Sequence, residues 1–205
     1  MNMQRLFALL PAAVIAAVIT AGCSVVPKPH APEAHYDFGP LPMVAGAAGV
    51  RVDKSLTVHD AQAPTWLDAP GMHYRLAQSA PAQPRSFANS RWVMSPAALF
   101  TQRLRSRLAD ASRGVYAPAD SVRTDLVLRV ELEEFVQVFD STTASRGQVR
   151  ARVSLSAGRD APVQRTFSVD RPATSADADG GAKALIAASD EAIRQIVEWL
   201  ATTRP

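Results

Sequence analysis

The chain has 205 residues, with 22 basic and 19 acidic side chains and a formal net charge of +3. Nucleic-acid binding proteins concentrate lysine and arginine in a patch, whereas lysine is scarce here and the arginines are scattered, so we do not expect nucleic acid as a partner. A single cysteine excludes an internal disulfide, and packing must stabilise the fold.

The first 23 residues have the layout of a bacterial lipoprotein signal. Arg5 precedes an apolar run over residues 6–19, and residues 20–23 read Thr-Ala-Gly-Cys. Small residues before a cysteine permit cleavage there once the thiol carries lipid. We therefore predict a signal peptide over residues 1–22 and a mature chain that begins at a lipidated Cys23.

Two other interpretations of this segment are weaker. A transmembrane anchor needs ~20 apolar residues, and this run is shorter and contains Pro11. A plain secretory signal would leave Cys23 as an unpaired thiol in an oxidising compartment. Since Ser24 stands where Gram-negative lipoproteins retained in the inner membrane usually have Asp, we expect sorting to the outer membrane.

A proline-rich tether is predicted to separate the anchor from the folded part. Pro27, Pro29 and Pro32 each lack an amide donor, so residues 23–34 cannot form a helix or a central strand. Residues 35–205 are long enough for one domain with a sizeable core.

Strands dominate the predicted first half of this domain. Apolar and polar residues alternate over residues 50–58, which is the period of a half-buried strand. Further strands are predicted at residues 35–39, 72–77 and 87–94. The last two, with Pro81 and Pro84 between them, are too far apart in sequence for a tight hairpin.

The sequence marks the first helix clearly. Ser95 can cap its free amides, and Pro96 suits the first helical position. Gly114 is predicted to end it. Arg103 and Arg107 flank the apolar face, where a solvated surface is favoured over a surface for a partner or a lipid headgroup. The apolar face itself comprises Phe100, Leu104, Leu108 and Ala111.

The strongest predicted strand, residues 124–139, loses its alternation after Glu133. A bulge can reset the register, or else the strand outruns the core and exposes Phe135 and Phe139. Of these two explanations the bulge is favoured. The next strand, residues 147–157, should return alongside it.

The rest of the chain completes an α+β fold. Folding the two long strands together places Glu133 opposite Arg152 and Arg150 opposite Phe135. A last strand over residues 163–169 makes an antiparallel meander, and a terminal helix follows the polar residues 177–181. We predict a mostly antiparallel sheet with two helices packed on one face.

No catalytic or metal-binding motif is present in the sequence. There is no G-x-S-x-G elbow, and the four histidines lack the spacing of H-x-x-x-H or H-E-x-x-H sites. We expect neither an enzyme nor a metal protein, and no cofactor besides the covalent lipid.

Several segments together resemble one family. They span most of the predicted mature chain, in the family's order behind the lipobox: residues 36–39 (Tyr-Asp-Phe-Gly), 74–76 (Tyr-Arg-Leu), 89–96 (Asn-Ser-Arg-Trp running into Ser-Pro), 132–139 (Leu-Glu-Glu-Phe-Val-Gln-Val-Phe) and 198–200 (Glu-Trp-Leu). In this respect the chain is similar to the ABC-type transport auxiliary lipoprotein components.

The resemblance implies a non-enzymatic lipoprotein of the outer membrane that faces the periplasm. Such a protein works with an ABC transporter and an MCE-domain protein that carries lipid between the two membranes. Two alternatives remain: a periplasmic lipid-binding carrier, or a structural lipoprotein of envelope assembly. A homo-oligomer is also compatible with the sequence if residues 135–139 are exposed.

Aromatic and arginine side chains are the expected partner contacts, because interface hot spots are enriched in them. Trp66, in a loop bounded by prolines, is favoured as a contact, whereas Trp92 is favoured as a core residue. The full set of candidates is Trp66, Arg91, Trp92, Phe135, Phe139, Arg150 and Arg152.

Overall fold

The computed structural model describes residues 32–41, 50–158 and 160–203. Residues Glu33–Pro205 form one compact unit. The predicted signal peptide, the anchor at Cys23 and most of the tether lie outside the described residues, and they stay predictions.

Across the described residues, strands and two long helices make up an α+β fold. The strands of the described residues are β1 (Ala34–Tyr36), β2 (Val52–Val58), β3 (Gly71–Leu76), β4 (Ala80–Trp92), β5 (Ser112–Tyr116), β6 (Leu126–Phe139), β7 (Ser145–Ser156) and β8 (Val163–Pro172). The helices are α1 (Pro96–Ala111) and α2 (Ala178–Thr202), and two single 3-10 turns are Thr65–Leu67 and Pro118–Asp120.

All eight strands belong to one sheet built around β6. Along one edge, β6 pairs with β7 over its whole length, and β7 pairs in turn with β8. Along the other edge, β2 pairs with the first residues of β6 and β3 with its last residues. Beyond these lie β5 beside β2, and β4 followed by β1 beside β3.

The meander β6–β7–β8 is antiparallel, as predicted. The rest of the sheet is not, because four of the seven strand pairings in the described part of the chain are parallel. Two of these, the pairings of β2 and β3 with β6, arise because the segment after β2 does not turn back. His59 N donates to Leu128 O (3.0 Å) and Gln62 N to Val130 O (2.9 Å), so the chain continues along β6 in one direction until it reaches β3.

The prediction of widely separated third and fourth strands was wrong. Only residues 77–79 separate β3 from β4, which starts at Ala80 and contains both Pro81 and Pro84. The register between β3 and β4 shifts twice over this stretch. Prolines are tolerated at such irregular edge positions because no regular ladder bond is lost there.

The first helix starts where the sequence predicts, whereas the terminal helix starts at Ala178, within the polar residues 177–181 rather than after them, because Asp177 caps it. Ser95 Oγ accepts a hydrogen bond from Ala98 N (3.3 Å), and Asp177 Oδ1 accepts one from Gly180 N (2.8 Å). Such caps stabilise a helix by about 1 kcal/mol. The predicted end of the first helix was wrong, since α1 stops at Ala111 and Gly114 lies within β5.

The register break in β6 is a bulge, the favoured explanation. The pairing with β7 shifts between Leu132 and Glu134, which returns Phe135 to the core face, where it is 1% exposed. The predicted cross-strand partners were wrong by one or two positions. Arg152 faces Glu131 and Arg150 faces Glu134, because β7 begins at Ser145, directly opposite Phe139.

Candidate partner-binding surface

A surface pocket with an apolar rim and a partly polar lining lies where the segment after β1 meets the end of β4 and the start of α1. Its volume is about 260 Å³. Leu41, Val93 and Met94 line it and are 38%, 50% and 38% exposed, which makes them three of the five large hydrophobic side chains left exposed among the described residues. Exposed apolar side chains that cluster around a concavity are typical of an interaction site.

Local backbone geometry builds the wall of this pocket. Val93 N donates to Tyr36 O (2.9 Å), which ties β1 to the residue after β4. Asp37 Oδ1 then accepts from Gly39 N (2.7 Å), and Gly39 takes a φ of +64°, a value that favours glycine. The resulting turn carries Leu41 to the pocket.

A buried arginine forms the floor. Arg103 is 4% exposed, donates to Phe38 O, and lies 3.4 Å from an Asp190 oxygen on α2. Its guanidinium also lies over the Phe38 ring, 5.7 Å from the centroid. The expectation of a solvated Arg103 was therefore wrong. The pKa of the Asp190 carboxyl is raised, because the effect of burial outweighs the lowering effect of the Arg103 and Arg107 charges.

Four aromatic rings pack behind the pocket. Trp92 lies 5.3 Å from Phe135 and 6.0 Å from Phe38, with the Tyr36 ring at 6.1 Å on another side. Trp92 and Phe135 are each 1% exposed, so two of the predicted contact residues lie in the core. Trp92 holds the end of β4 against the sheet, which is the role favoured for it from the sequence.

Trp66 lies elsewhere, on the 3-10 turn that follows β2, and is partly buried. The His73 ring meets it edge-on at 5.4 Å, and the Arg75 guanidinium lies 5.2 Å from its centroid. Arg75 is itself held by Glu134 (3.2 Å). Burial lowers the pKa of His73, whose Nδ1 lies 3.0 Å from the Ser86 hydroxyl.

Arg150 and Arg152 lie on the solvent face of β7 and are paired with acids of β6. Arg150 lies 2.7 Å from Glu133, and Arg152 lies 2.9 Å from Glu131 and 3.0 Å from Glu133. A partner would have to compete with these ion pairs for either arginine. The binding role predicted for both stays a prediction.

The last two predicted contacts, Arg91 and Phe139, also have neighbours within the chain. Arg91 is exposed and forms an ion pair with Glu33. Phe139 is partly buried and packs at 5.5 Å from Tyr74 and 6.5 Å from Phe87. The structure therefore does not gather the predicted residues into one patch.

The part of the chain that the structure describes contains neither a metal-binding cluster nor a membrane-spanning helix. Across residues 32–41, 50–158 and 160–203, no three His, Cys, Asp or Glu side chains come together as a metal site would require. Among the helices of this part, none has the length and apolarity needed to cross a bilayer.

Sequence reasoning missed two polar side chains that organise the structure. One is Arg103 under the pocket. The other is Gln137 on β6, fully buried, whose Nε2 donates to Ser145 Oγ (2.8 Å) and to Asp177 O (3.0 Å) at the start of α2. The burial of Gln137 could have been predicted from the bulge. After the bulge Phe135 points into the core, and Gln137, two residues further along the strand, lies on the same face.

The model of the ABC-type transport auxiliary lipoprotein component family matches residues 36–197. This chain belongs to that family. The match confirms the resemblance inferred from the sequence, and the family is one of auxiliary transport lipoproteins rather than of enzymes. No curated protein matches the chain.

Solved structures share the fold. Protein XCC0632 from Xanthomonas campestris, of the family DUF330, is 19% identical with a TM-score of 0.66, and the match covers 82% of this chain and 91% of that one. A second crystal structure, of an uncharacterized protein, has 16% sequence identity to this chain and a TM-score of 0.64. The match covers 82% of this chain and 97% of that one. At identities this low, the similarity shows that these proteins share the fold of this auxiliary lipoprotein component, and it shows nothing about their function.

Proposed function

We propose that this auxiliary lipoprotein component is anchored in the outer membrane by lipid on Cys23 and docks a periplasmic MCE-domain partner of an ABC transporter that moves lipid between the two membranes. The family match over residues 36–197 carries this proposal. The lipobox supports the anchor, and several acyl chains on one cysteine hold a protein firmly in a membrane. We expect the proline-rich tether to give the domain a reach of about 35 Å, the length of an extended chain at ~3.1 Å per residue.

This surface pocket is the best candidate for the docking site. Its rim offers Leu41, Val93 and Met94 to a partner, while the buried Arg103–Asp190 pair keeps its floor in one arrangement. At about 260 Å³ it is smaller than the ~300–1,000 Å³ of small-molecule sites. A protruding side chain of a protein fits such a pocket better than a whole phospholipid does.

The alternative of a lipid carrier finds less support. A carrier needs an apolar cavity between sheet and helices lined by small residues, and the alanines that could line it are Ala97, Ala98, Ala184, Ala187 and Ala188. Ala98 and Ala187 are exposed, whereas the other three are buried. The alanines of α2 permit close helix packing instead. Phospholipid that co-purifies with the delipidated domain, detected by mass spectrometry, would favour the carrier.

A matched pair of variants tests the docking site in cells. Val93→Asp places a charge on the pocket rim, whereas Val122→Asp alters a similarly exposed valine (44%) outside the pocket. A photocrosslinker at Met94 should capture an MCE-domain protein in the wild type and in the Val122 variant. Capture should fall at least about tenfold in the Val93 variant, the effect of losing ~1.4 kcal/mol. Equal capture in both variants would contradict docking at this pocket.

The anchor has its own test. Mass measurement of the protein from purified outer membranes should show a chain that begins at Cys23 and carries acyl groups. Cys23→Ser should leave the leader uncleaved. An unmodified Cys23 in the wild type would contradict both the anchor and the location.

A further inference from the structure

The sheet has one long free edge that is protected by neither shortness, bulges nor an internal proline. Among the described residues, the edges not covered by another strand are those of β1, most of β4, β5 and β8. Proteins protect such edges by shortness, proline, bulges or charge, because unpaired backbone groups attract other strands. β1 has three residues and β5 has five. β4 contains Pro81 and Pro84 together with two register shifts.

β8 differs from these edges. It has ten residues, and it pairs with β7 from Val163 to Pro172 without a register shift. Its only proline, Pro172, stands at its very end. The strand therefore presents a straight and regular edge.

The hydrogen bonds show which backbone groups of β8 point outward. Ala173 N donates to Ser145 O (2.8 Å), so the residues of β8 that share the parity of Ala173 direct their backbone toward β7. The residues of the other parity direct both N–H and C=O away from the sheet. They are Gln164, Thr166, Ser168 and Asp170, all of them exposed, followed by Pro172, which has no N–H to offer.

The charges near this edge are already engaged within the chain. Asp170 lies 3.5 Å from Arg146, and Arg171 lies 3.4 Å from Glu191. Arg165 lies over the ring of Phe167, 5.2 Å from its centroid. Each of these charged side chains therefore already has a partner within the chain.

Side chains along the edge favour an amphipathic strand. On one face, Thr166 and Ser168 offer hydroxyl groups. On the other face Val163 is 37% exposed, and Phe167 packs at 5.8 Å from Trp199 of α2. An added strand with apolar residues on the second face would extend this core.

We propose that the outer edge of β8 binds an extended segment of a partner protein, which adds a ninth strand to the sheet. Only an extended backbone matches a row of alternating donors and acceptors, and side chains set the specificity. The chain's own tether fits poorly. As a strand it would direct the backbone of Pro27 and Pro29 to one edge and that of Pro32 to the other, so each edge would lack at least one N–H donor. This inference rests on the proposed function only for the partner's nature as a periplasmic transport protein.

Amide exchange tests the edge directly. The full lipoprotein is extracted in mild detergent from its native membranes and, separately, from a host that lacks the transport partner. Hydrogen–deuterium exchange at single-residue resolution should show the amides of Gln164, Thr166, Ser168 and Asp170 slowed about tenfold or more in the native complex. The intervening amides are bonded to β7 in both samples and should not change.

Two variants at one position provide the matched comparison. Ser168→Pro removes an outward N–H without removing a bond to β7, whereas Ser168→Ala keeps that N–H. The complex should be lost with proline and kept with alanine. If the proline variant does not fold, the hydrogen–deuterium exchange of the wild-type protein still tests whether a partner strand covers this edge.

The outcomes separate the two proposals. A native complex in which the four outward amides exchange freely overturns the edge proposal alone. A protein that extracts as a single chain overturns the docking function as well. Protection in a complex that contains only copies of this chain, by light scattering, shows that a second copy occupies the edge and overturns the assignment to a partner.

Discussion

Gly147 of β7 lies against the backbone of Leu185 in α2, so closely that a Cβ added to the glycine would stand 2.6 Å from the Leu185 nitrogen. Real Cβ atoms do not approach other atoms within 3.0 Å. The obstacle is helix backbone rather than the end of a flexible side chain. The glycine therefore sets the distance between the sheet and its longer helix.

Gly147→Ala should destabilise the protein by about 1–3 kcal/mol, because α2 must move away from the sheet. Gly114→Ala is the matched control: its Cβ would meet only the side chain of Tyr116, at 3.1 Å, and that side chain can rotate. Urea unfolding midpoints measure both. Equal losses in the two variants would show that the close approach of α2 is not the cause.

The sequence predicted what depends on local periodicity and capping. The β6 break at Glu133, the Ser95 cap and the polar start of α2 follow from neighbouring residues, and the structure contains all three. The parallel pairings of β2 and β3 could not be predicted this way. They depend on the path of residues 59–70 along β6, and no periodic signal records the direction of such a connection.

Gln137→Met should destabilise the protein by about 1–3 kcal/mol. Methionine nearly matches the shape of glutamine but leaves the Asp177 carbonyl and the Ser145 hydroxyl without the Nε2 donor. A double-mutant cycle with Ser145→Ala should give a coupling of about 0.5–1.5 kcal/mol in thermal or urea unfolding. Additive losses would mean that the two side chains do not cooperate.

Candidate site residues were harder to predict than the fold. Trp92 and Phe135 are aromatic, as interface residues often are, but aromatic residues also fill cores, and here each is 1% exposed. The pocket rim joins Leu41 with Val93 and Met94, which are distant in sequence and carry no polar pattern. Their proximity depends on the pairing of β1 with the end of β4, a contact that only the fold supplies.

Arg103→Met should destabilise the protein by about 2–4 kcal/mol at neutral pH, because the partly buried Asp190 loses its cation. Burial already raises the pKa of Asp190, and losing the arginine raises it further. A carboxyl whose pKa is raised on folding destabilises the folded state only while it is ionised. The stability lost in Arg103→Met should therefore shrink as the pH falls toward 4 and Asp190 becomes protonated. Urea unfolding from pH 4 to 8 measures this, and the double variant with Asp190→Asn should show no such pH dependence.

Glu191 of α2 should give the protein an acid-labile contribution to stability. Hydrogen bonds from Arg194, at 2.6 and 2.9 Å, lower the pKa of Glu191 from 4.5 to about 2, assisted by Gln195 and Arg171. Because the folded-state pKa is depressed, this contribution is complete above the unfolded-state value and is lost as the pH falls from about 4.5 to about 2. The stability difference between wild type and Glu191→Gln should therefore be largest above pH ~5 and shrink steadily toward pH ~2 in urea unfolding. Asp68→Asn, in an exposed loop, controls for the removal of one negative charge, and a Glu191→Gln difference that stays constant over this range would contradict the ion pair's role.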